Sequence, residues 1–181
     1  FIDEVKIPKI SIITSLYKGG KHIKHFMEEV TKQTIFDKCE LIILDANSPD
    51  KEYEVIQSYC EKYPNIIYER LDFTPSVQST MNLGLKKASG DFITLWNTDD
   101  TRKHNALELL AKNLAVDSTV HLVYADSLQT EKDNETFEKN SANQLYEHST
   151  FEFSKENMIK CLPGPMPMWK KEMTDKIGEF D

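Results

Sequence analysis

The chain has 181 residues, with 22 Lys and Arg against 30 Asp and Glu, a formal net charge of −8, and 39% hydrophobic residues. Such a composition excludes a disordered chain and suffices for one domain with its own core. The acidic balance and scattered lysines lack the basic stripe of a nucleic-acid binder, so no nucleic-acid partner is expected, and no apolar run approaches the roughly 18 residues needed to span a bilayer.

In chain order, five short runs rich in Ile, Leu or Val read as buried strands: Ile10 to Thr14, Leu41 to Asp45, Ile66 to Arg70, Phe92 to Trp96 and Val120 to Asp126. Helical stripes lie between them. Ile23, Phe26, Met27 and Val30 make the first, and Ile56, Tyr59, Cys60 and Tyr63 the second, stopped by Pro64. Val77, Met81, Leu85 and Ala88 make the third, with Gly90 expected as its C-terminal cap; Leu107, Leu110, Ala111 and Leu114 make the fourth. Strands alternating with helices predict an α/β fold with a parallel sheet covered on both faces. Residues 129–144 are charged and aperiodic and read as a long surface excursion, with a hairpin as one form. Pro163-Gly164-Pro165 marks a rigid turn before an amphipathic end, 166–181.

Cys39, Cys60 and Cys161 are odd in number and far apart, which argues against a disulfide framework or zinc site and for packed thiols in a reducing compartment. The first nine residues do not read as a signal peptide, so a cytoplasmic location is expected.

In open α/β sheets, ligands bind beyond the carboxyl ends of the strands. After the first strand come Thr14, Ser15 and Tyr17, then Lys18-Gly19-Gly20, which suit either a base and ribose or an ordinary turn. After the second come Asp45-Ala46-Asn47-Ser48-Pro49-Asp50, an acid for a base or sugar hydroxyl, or a turn with a helix cap near Ser48 or Asp50. After the fourth come Asn97-Thr98-Asp99-Asp100. Adjacent carboxylates are costly unless neutralised; a divalent cation does this with hard oxygen ligands, and a capping cluster for a helix starting near His104 is the plainer alternative. Arg102 and Lys103 either pair with these acids or lie in solvent. The five histidines show no ligand spacing, and no Gly-x-Ser-x-Gly, P-loop or Gly-x-Gly-x-x-Gly motif is present.

The stretch Ser79 to Ile93, running into Leu95-Trp96-Asn97-Thr98-Asp99-Asp100, resembles the block A-M-N-x-G-I-x-x-A-x-G-[DE]-x-[IV]-x-[FL]-L-N-x-D-D of family 2 of the GT-A-fold inverting glycosyltransferases. Ile10 to Thr14, Lys32-Gln33-Thr34, Glu40 to Asp45, and Lys176 to Asp181 (compare x-x-G-G-F-D) extend the likeness over nearly the whole chain. The resemblance implies a GT-A (Rossmann-like) fold with a mostly parallel central sheet, helices on both faces and the C-terminal acceptor part truncated. It implies one domain over 1–181, with a nucleotide-sugar-binding half at 8–126 and a partial acceptor-side half at 127–181. It further implies a nucleotide-diphosphate sugar donor, Mn2+ or Mg2+, and a glycan or lipid-linked glycan acceptor, compatible with peripheral association at the inner face of a membrane. Asp99 and Asp100 match the metal and ribose-diphosphate acids, and Asn97 the first position of the D-x-D signature. Thr14, Ser15, Tyr17, Asp45 and Asn82 join Asn97 and Asp99 as expected nucleotide-sugar contacts. Ala46 stands where many members carry a second acid, and Met81 where others carry Arg. The catalytic base lies beyond the G-G-F-D segment in the family and is expected beyond Asp181, which matches that segment's own Asp. A non-catalytic nucleotide-sugar-binding module and a nucleotidyltransferase with a related sheet are the alternatives; the latter calls for a Gly-rich, basic loop after the first strand, which Thr14 to Gly20 matches weakly.

Overall fold

Two strands made almost entirely of buried residues, β1 (Ile10–Leu16) and β2 (Cys39–Asp45), form the middle of the sheet. The computed structural model describes residues 5–150, 152, 154–157 and 163–181. β1 pairs in parallel with β2 (Ile12 opposite Leu41) and with β4 (Phe92–Leu95), and β2 pairs in parallel with β3 (Ile66–Arg70). Beyond them lie β5 (Leu122–Val123) and β8 (Met168–Lys170), in the order β3-β2-β1-β4-β8-β5. A separate antiparallel hairpin joins β6 (Ser127–Gln129) to β7 (Gln144–Tyr146) within the polar excursion.

Side chains alternate across the strands, so each central strand feeds two cores. Ile10, Ile12, Leu16, Leu41 and Ile43 pack with Ile23, Phe26, Met27 and Val30 of α1 (Ile23–Thr31), Ile56 of α2 (Glu52–Lys62), and Leu107, Ala111 and Leu114 of α4 (Ala106–Val116). Ile13, Ile42, Leu44 and Ile93 face the other way, onto Met81 and Leu85 of α3 (Val77–Lys87) and Met173 of α5 (Lys171–Ile177). The expected stripes are therefore the buried faces, except that Val77 is 60% exposed.

Three sequence expectations are corrected. The fifth apolar run yields only Leu122–Val123, and it does not pair with β4. The segment expected to be a simple amphipathic end instead supplies β8, antiparallel to both neighbours (Ile93 and Leu122 both opposite Trp169). Met168 and Trp169 are 0% and 4% exposed, so the β4 edge is covered by two large apolar residues in a strand too short to show a period. Gly90 is not a left-handed cap: α3 ends at Lys87 with Ala88 as its capping residue, and a Cβ on Gly90 would sit 2.7 Å from the Ser11 amide nitrogen. Gly84 is required for a similar reason, since a Cβ there would lie 2.3 Å from Ile13 Cγ2 and push α3 off β1. Of the cysteines, Cys39 is buried and Cys60 half-buried, both free thiols, and burial pushes the Cys39 thiol up to about 12; Cys161 lies outside the described residues.

Glu40, at the opposite end of the strands from the crevice, ties three segments together. Its carboxylate accepts from Ser11 Oγ (2.6 Å), from Ser89 N and Oγ (2.7 Å each), and pairs with Lys9 Nζ at 2.6 Å. Burial alone would raise its carboxyl, but the bonds from Lys9, Ser11 and Ser89 outweigh that and hold it at about 2, below the ordinary 4.5. A depressed folded value contributes stability that is present above the unfolded value and is lost as pH falls toward the folded one. Glu40→Gln is expected to cost about 2 kcal/mol at pH 7, with the gap to wild type narrowing as pH falls from 4.5 toward 2; urea melts across that window check it.

Candidate functional site

From β1 the chain moves outward to β2 and β3, then returns to lay β4 on the other side of β1. Right-handed crossovers put α1 and α2 on one face and α3 on the other, opening a crevice at the carboxyl ends of β1 and β4. The two strand ends are stitched together: Trp96 N donates to Ile13 O at 3.0 Å, and the Thr14 hydroxyl donates to Trp96 O at 2.8 Å. Thr14 is thus fully buried, while Ser15 is half-buried and Tyr17 is 47% exposed at the crevice.

The amides after β1 are already committed. Lys18 N donates to Ser48 Oγ (2.8 Å), Gly19 N to Glu52 Oε1 (2.8 Å) and Gly20 N to Asp50 Oδ2 (3.1 Å). The capping expected of Ser48 or Asp50 is not observed, since the residue before α2 is Lys51 and no side chain caps that helix. Both residues instead brace the first loop, leaving the amides of Lys18, Gly19 and Gly20 engaged with protein.

Asp45 is 1% exposed. Its Oδ1 accepts from Ser48 N at 2.6 Å, and its Oδ2 from Tyr68 OH at 2.6 Å and Arg70 Nη1 at 2.8 Å. Burial and then the Asp45 carboxylate push the Tyr68 hydroxyl well above its usual value. Arg70 also reaches Asn47 Oδ1 (2.9 Å) and Ser48 O (2.8 Å), and its side chain stays 46% exposed. Asp45 therefore faces inward and presents a guanidinium at the rim. Arg70 was missed as a site residue; the available signal was a basic residue closing an otherwise apolar run.

Asn97 and Asp99 are exposed and Asp100 is half-buried. Asn97 Nδ2 donates to Asp100 Oδ2 at 3.1 Å, and Trp96 Nε1 donates to the Asp100 carbonyl at 2.9 Å. Burial, then the adjacent Asp99 charge, raise the Asp100 carboxyl, with Asn97 and Arg102 opposing. α4 starts at Ala106 with Asn105 before it and no side-chain cap, so these acids are not a capping cluster. Among the described residues no group of three or more His, Cys, Asp or Glu side chains is arranged around a metal position. Two carboxylates still fit Mg2+ or Mn2+, ions that complete their shells with phosphate oxygens and water.

Arg102 does not lie in solvent. It is 0% exposed, its Cζ sits 4.4 Å from the Trp96 ring centroid, Nη1 donates to Thr94 Oγ1 at 3.0 Å, and Nη2 donates to the Leu95 carbonyl. Lys103 is exposed, with Nζ 5.8 Å from the Phe137 ring. Asn82 exchanges two hydrogen bonds with the backbone of Phe180, at 2.7 and 2.9 Å, and so clamps the C-terminal segment.

The polar excursion folds back over this end of the sheet. Asn134 bonds His22 Nδ1 (3.1 Å) and the Lys21 carbonyl (2.9 Å), Asp133 pairs with Lys21, and His25 Nε2 meets Thr101 Oγ1 at 3.0 Å and the Glu135 carbonyl at 3.1 Å. It borders a cavity of about 470 Å³ lined by Asp99 and Asp100 together with Asp126, Tyr146 and Met166 among others.

The family model described as glycosyl transferase family 2 matches residues 11–178. The chain is 32% identical over 99 residues to the minor teichoic acid biosynthesis protein GgaB of Bacillus subtilis (54% of this chain, 11% of that protein). It is 33% identical over 107 residues to an uncharacterized glycosyltransferase of Haemophilus influenzae (58% and 41%). The fold is similar to that of the mannosyltransferase PcManGT from Pyrobaculum calidifontis in complex with GDP-Man and Mn2+ (TM-score 0.71, 17% identity, 98% of this chain and 50% of that one). It is also similar to S. aureus TarS 1-349 in complex with UDP-GlcNAc (TM-score 0.73, 16% identity, 92% and 46%). The chain thus spans half or less of the length of each.

Asp45→Ala is expected to lower stability by about 2 to 3 kcal/mol, because Ser48 N, Tyr68 and Arg70 lose a shared buried acceptor. Chemical melts measure it, and a variant as stable as wild type would show that the cluster does not brace the crevice.

Proposed function

The chain belongs to glycosyl transferase family 2, and on that premise we propose that its β1/β4 crevice binds a nucleotide-diphosphate sugar and a divalent cation for transfer of the sugar to an acceptor hydroxyl. One observation carries this proposal above the rest: the Asp99–Asp100 pair repels itself, is spent on no helix cap, and opens onto the 470 Å³ cavity. The base and ribose lie along Ser15 and Tyr17, beside the Arg70 held by Asp45, with Thr14 fixing the strand end beneath them, and the diphosphate lies at Asn97, Asp99 and Asp100. Asn82 contributes by holding the Phe180 segment toward the sugar. Residues 8–126 carry the donor and 127–181 part of the acceptor side.

Asp99 and Asp100 would hold Mn2+ or Mg2+, which when bound supplies positive charge to the departing diphosphate. The complexes of the two fold neighbours, GDP-Man with Mn2+ and UDP-GlcNAc, support a donor of this class. Asn97 brings an amide instead of a third charge, so it orients Asp100 and donates to an oxygen without adding repulsion. Transfer with inversion is a direct displacement, in which the acceptor hydroxyl attacks the anomeric carbon as the diphosphate leaves and a carboxylate takes the hydroxyl proton. By resemblance to the family that carboxylate follows the Gly178-to-Asp181 segment, and we place it outside these 181 residues. The acceptor is a glycan or lipid-linked glycan, and the latter would bring the protein to the inner face of a membrane from the cytoplasm. No helix among the described residues is long and apolar enough to cross one. The nucleotidyltransferase alternative is disfavoured because the amides of Lys18, Gly19 and Gly20 are already bonded to Ser48, Glu52 and Asp50.

Asp99→Asn and Asp100→Asn are each expected to weaken Mn2+-dependent binding of UDP or GDP about tenfold or more, since one hard ligand is lost. Calorimetry with and without Mn2+ reads this, and unchanged binding in both variants would contradict the site. The 181-residue chain is also expected to bind donor but transfer sugar slowly; fast turnover by it would show that the base lies within it.

A further inference from the structure

Two like charges side by side on a loop push apart, and a loop with slack relaxes that repulsion by moving. The loop that carries Asp99 and Asp100 is anchored on both sides. The near anchor is Trp96, whose Nε1 donates to the Asp100 carbonyl at 2.9 Å. The far anchor comes from another part of the chain. Gln33 lies two residues beyond α1 and is 4% exposed. Its Nε2 donates to the Lys103 carbonyl at 3.0 Å, and its Oε1 accepts from Leu107 N at 3.1 Å. The Gln33 backbone is itself held, since its N–H donates to Val30 O and its carbonyl accepts from Phe36 N. A buried amide is costly unless both its ends are bonded. Here one end is bonded to the acid loop and the other to the first turn of α4, which Asn105 does not cap.

We propose that Gln33 is a positioning residue for the cation site, which holds the Lys103 carbonyl so that the Asp99 and Asp100 carboxylates stay gathered before the cation arrives. The inference rests on the donor reading above. Three peptide units separate the Asp100 carbonyl from that of Lys103, so with both tied to buried side chains the backbone between them has little freedom. Without Gln33 the Lys103 carbonyl keeps its local partner, Ala106 N, and the turn is no longer tied to α1 through that carbonyl. The acids then relax apart, and a cation must draw them back at the cost of backbone freedom that the intact loop has already given up. The neighbouring bond from Thr34 N to the His104 carbonyl and the His25 contact with Thr101 remain, so the expected loss is partial. The two ends of the Gln33 amide have different tasks: the Leu107 bond caps α4, and the Lys103 bond orients the acid loop.

The test uses the 181-residue chain, with UDP or GDP affinity measured by calorimetry with and without Mn2+. The quantity read is the ratio of the two affinities per folded molecule, the folded fraction being taken from circular dichroism. Gln33→Met, which keeps the volume and removes both bonds, is expected to lower that ratio about fivefold while metal-free nucleotide binding stays within about twofold of wild type. Thr34→Val removes a different bond between the same two segments, Thr34 Oγ1 to Glu108 Oε2 at 2.7 Å, which does not touch the acid loop; it is expected to keep the wild-type ratio. A merely structural role would lower the stability of Gln33→Met in urea and leave its ratio at the wild-type value, and that result overturns the inference. An equal loss of the ratio in Thr34→Val overturns it as well. If Gln33→Met does not fold, Gln33→Asn, whose amide is one carbon shorter and cannot span both partners, carries the same comparison. Absence of any Mn2+-dependent nucleotide binding in wild type overturns the donor reading and the inference with it.

Discussion

Two carboxylates on consecutive residues repel each other, and the fold holds Asp99 and Asp100 where that repulsion is left standing. Trp96 fixes the Asp100 backbone from below, Asn97 takes one oxygen of its side chain, and Arg102 offsets part of the charge from the protein interior. None of these neutralises the pair. Under the proposed function, a cation shared with an anionic ligand would do so at little structural cost, because the acids are already gathered beside an open cavity. The rest of the crevice serves this arrangement. β1 and β4 are bonded through Thr14, Ile13 and Trp96, and the loops after β1 and β2 are bonded to one another through Ser48, Asp50 and Glu52.

This distribution of bonds separates residues that support the crevice from those that face it. Thr14 and Asp45 look like ligand contacts by position, yet both are buried and turned to protein partners. Their contribution to the crevice is indirect: the backbone of the buried Trp96 is fixed in one case, and an exposed Arg70 is held in the other. Tyr17 and Asp99 are exposed, Arg70 and Asn97 are exposed while bonded to their neighbours, and Asn82 acts through the Phe180 backbone.

Much of the fold was legible because its central strands are continuous apolar runs and its helices carry clear stripes, as Ile23 to Val30 and Leu107 to Leu114 do. The order of the first four strands and helices followed from those patterns alone. β8 was not legible, since three residues give no period and its pairing with β4 depends on contacts far away in the chain. The role of Gly90 was misread because a cap and a close approach to Ser11 leave the same residue in the same place. At the site, the acid pair stood out by charge, but Arg102 did not. Lying between Thr101 and Lys103 it reads as surface, and only tertiary packing on Trp96 reveals it as buried. Arg70 was hidden for the converse reason, as the end of a strand whose partner, Asp45, is distant in sequence.

The most direct measurement is the position of the cation itself. Crystals grown with Mn2+ and UDP or GDP, recorded at the manganese absorption edge, are expected to show an anomalous peak in contact with carboxylate oxygens of Asp99 or Asp100 and an oxygen of the diphosphate. A nucleotide bound with no manganese at that pair, or both acids turned onto protein partners while the crevice is filled, would contradict the account.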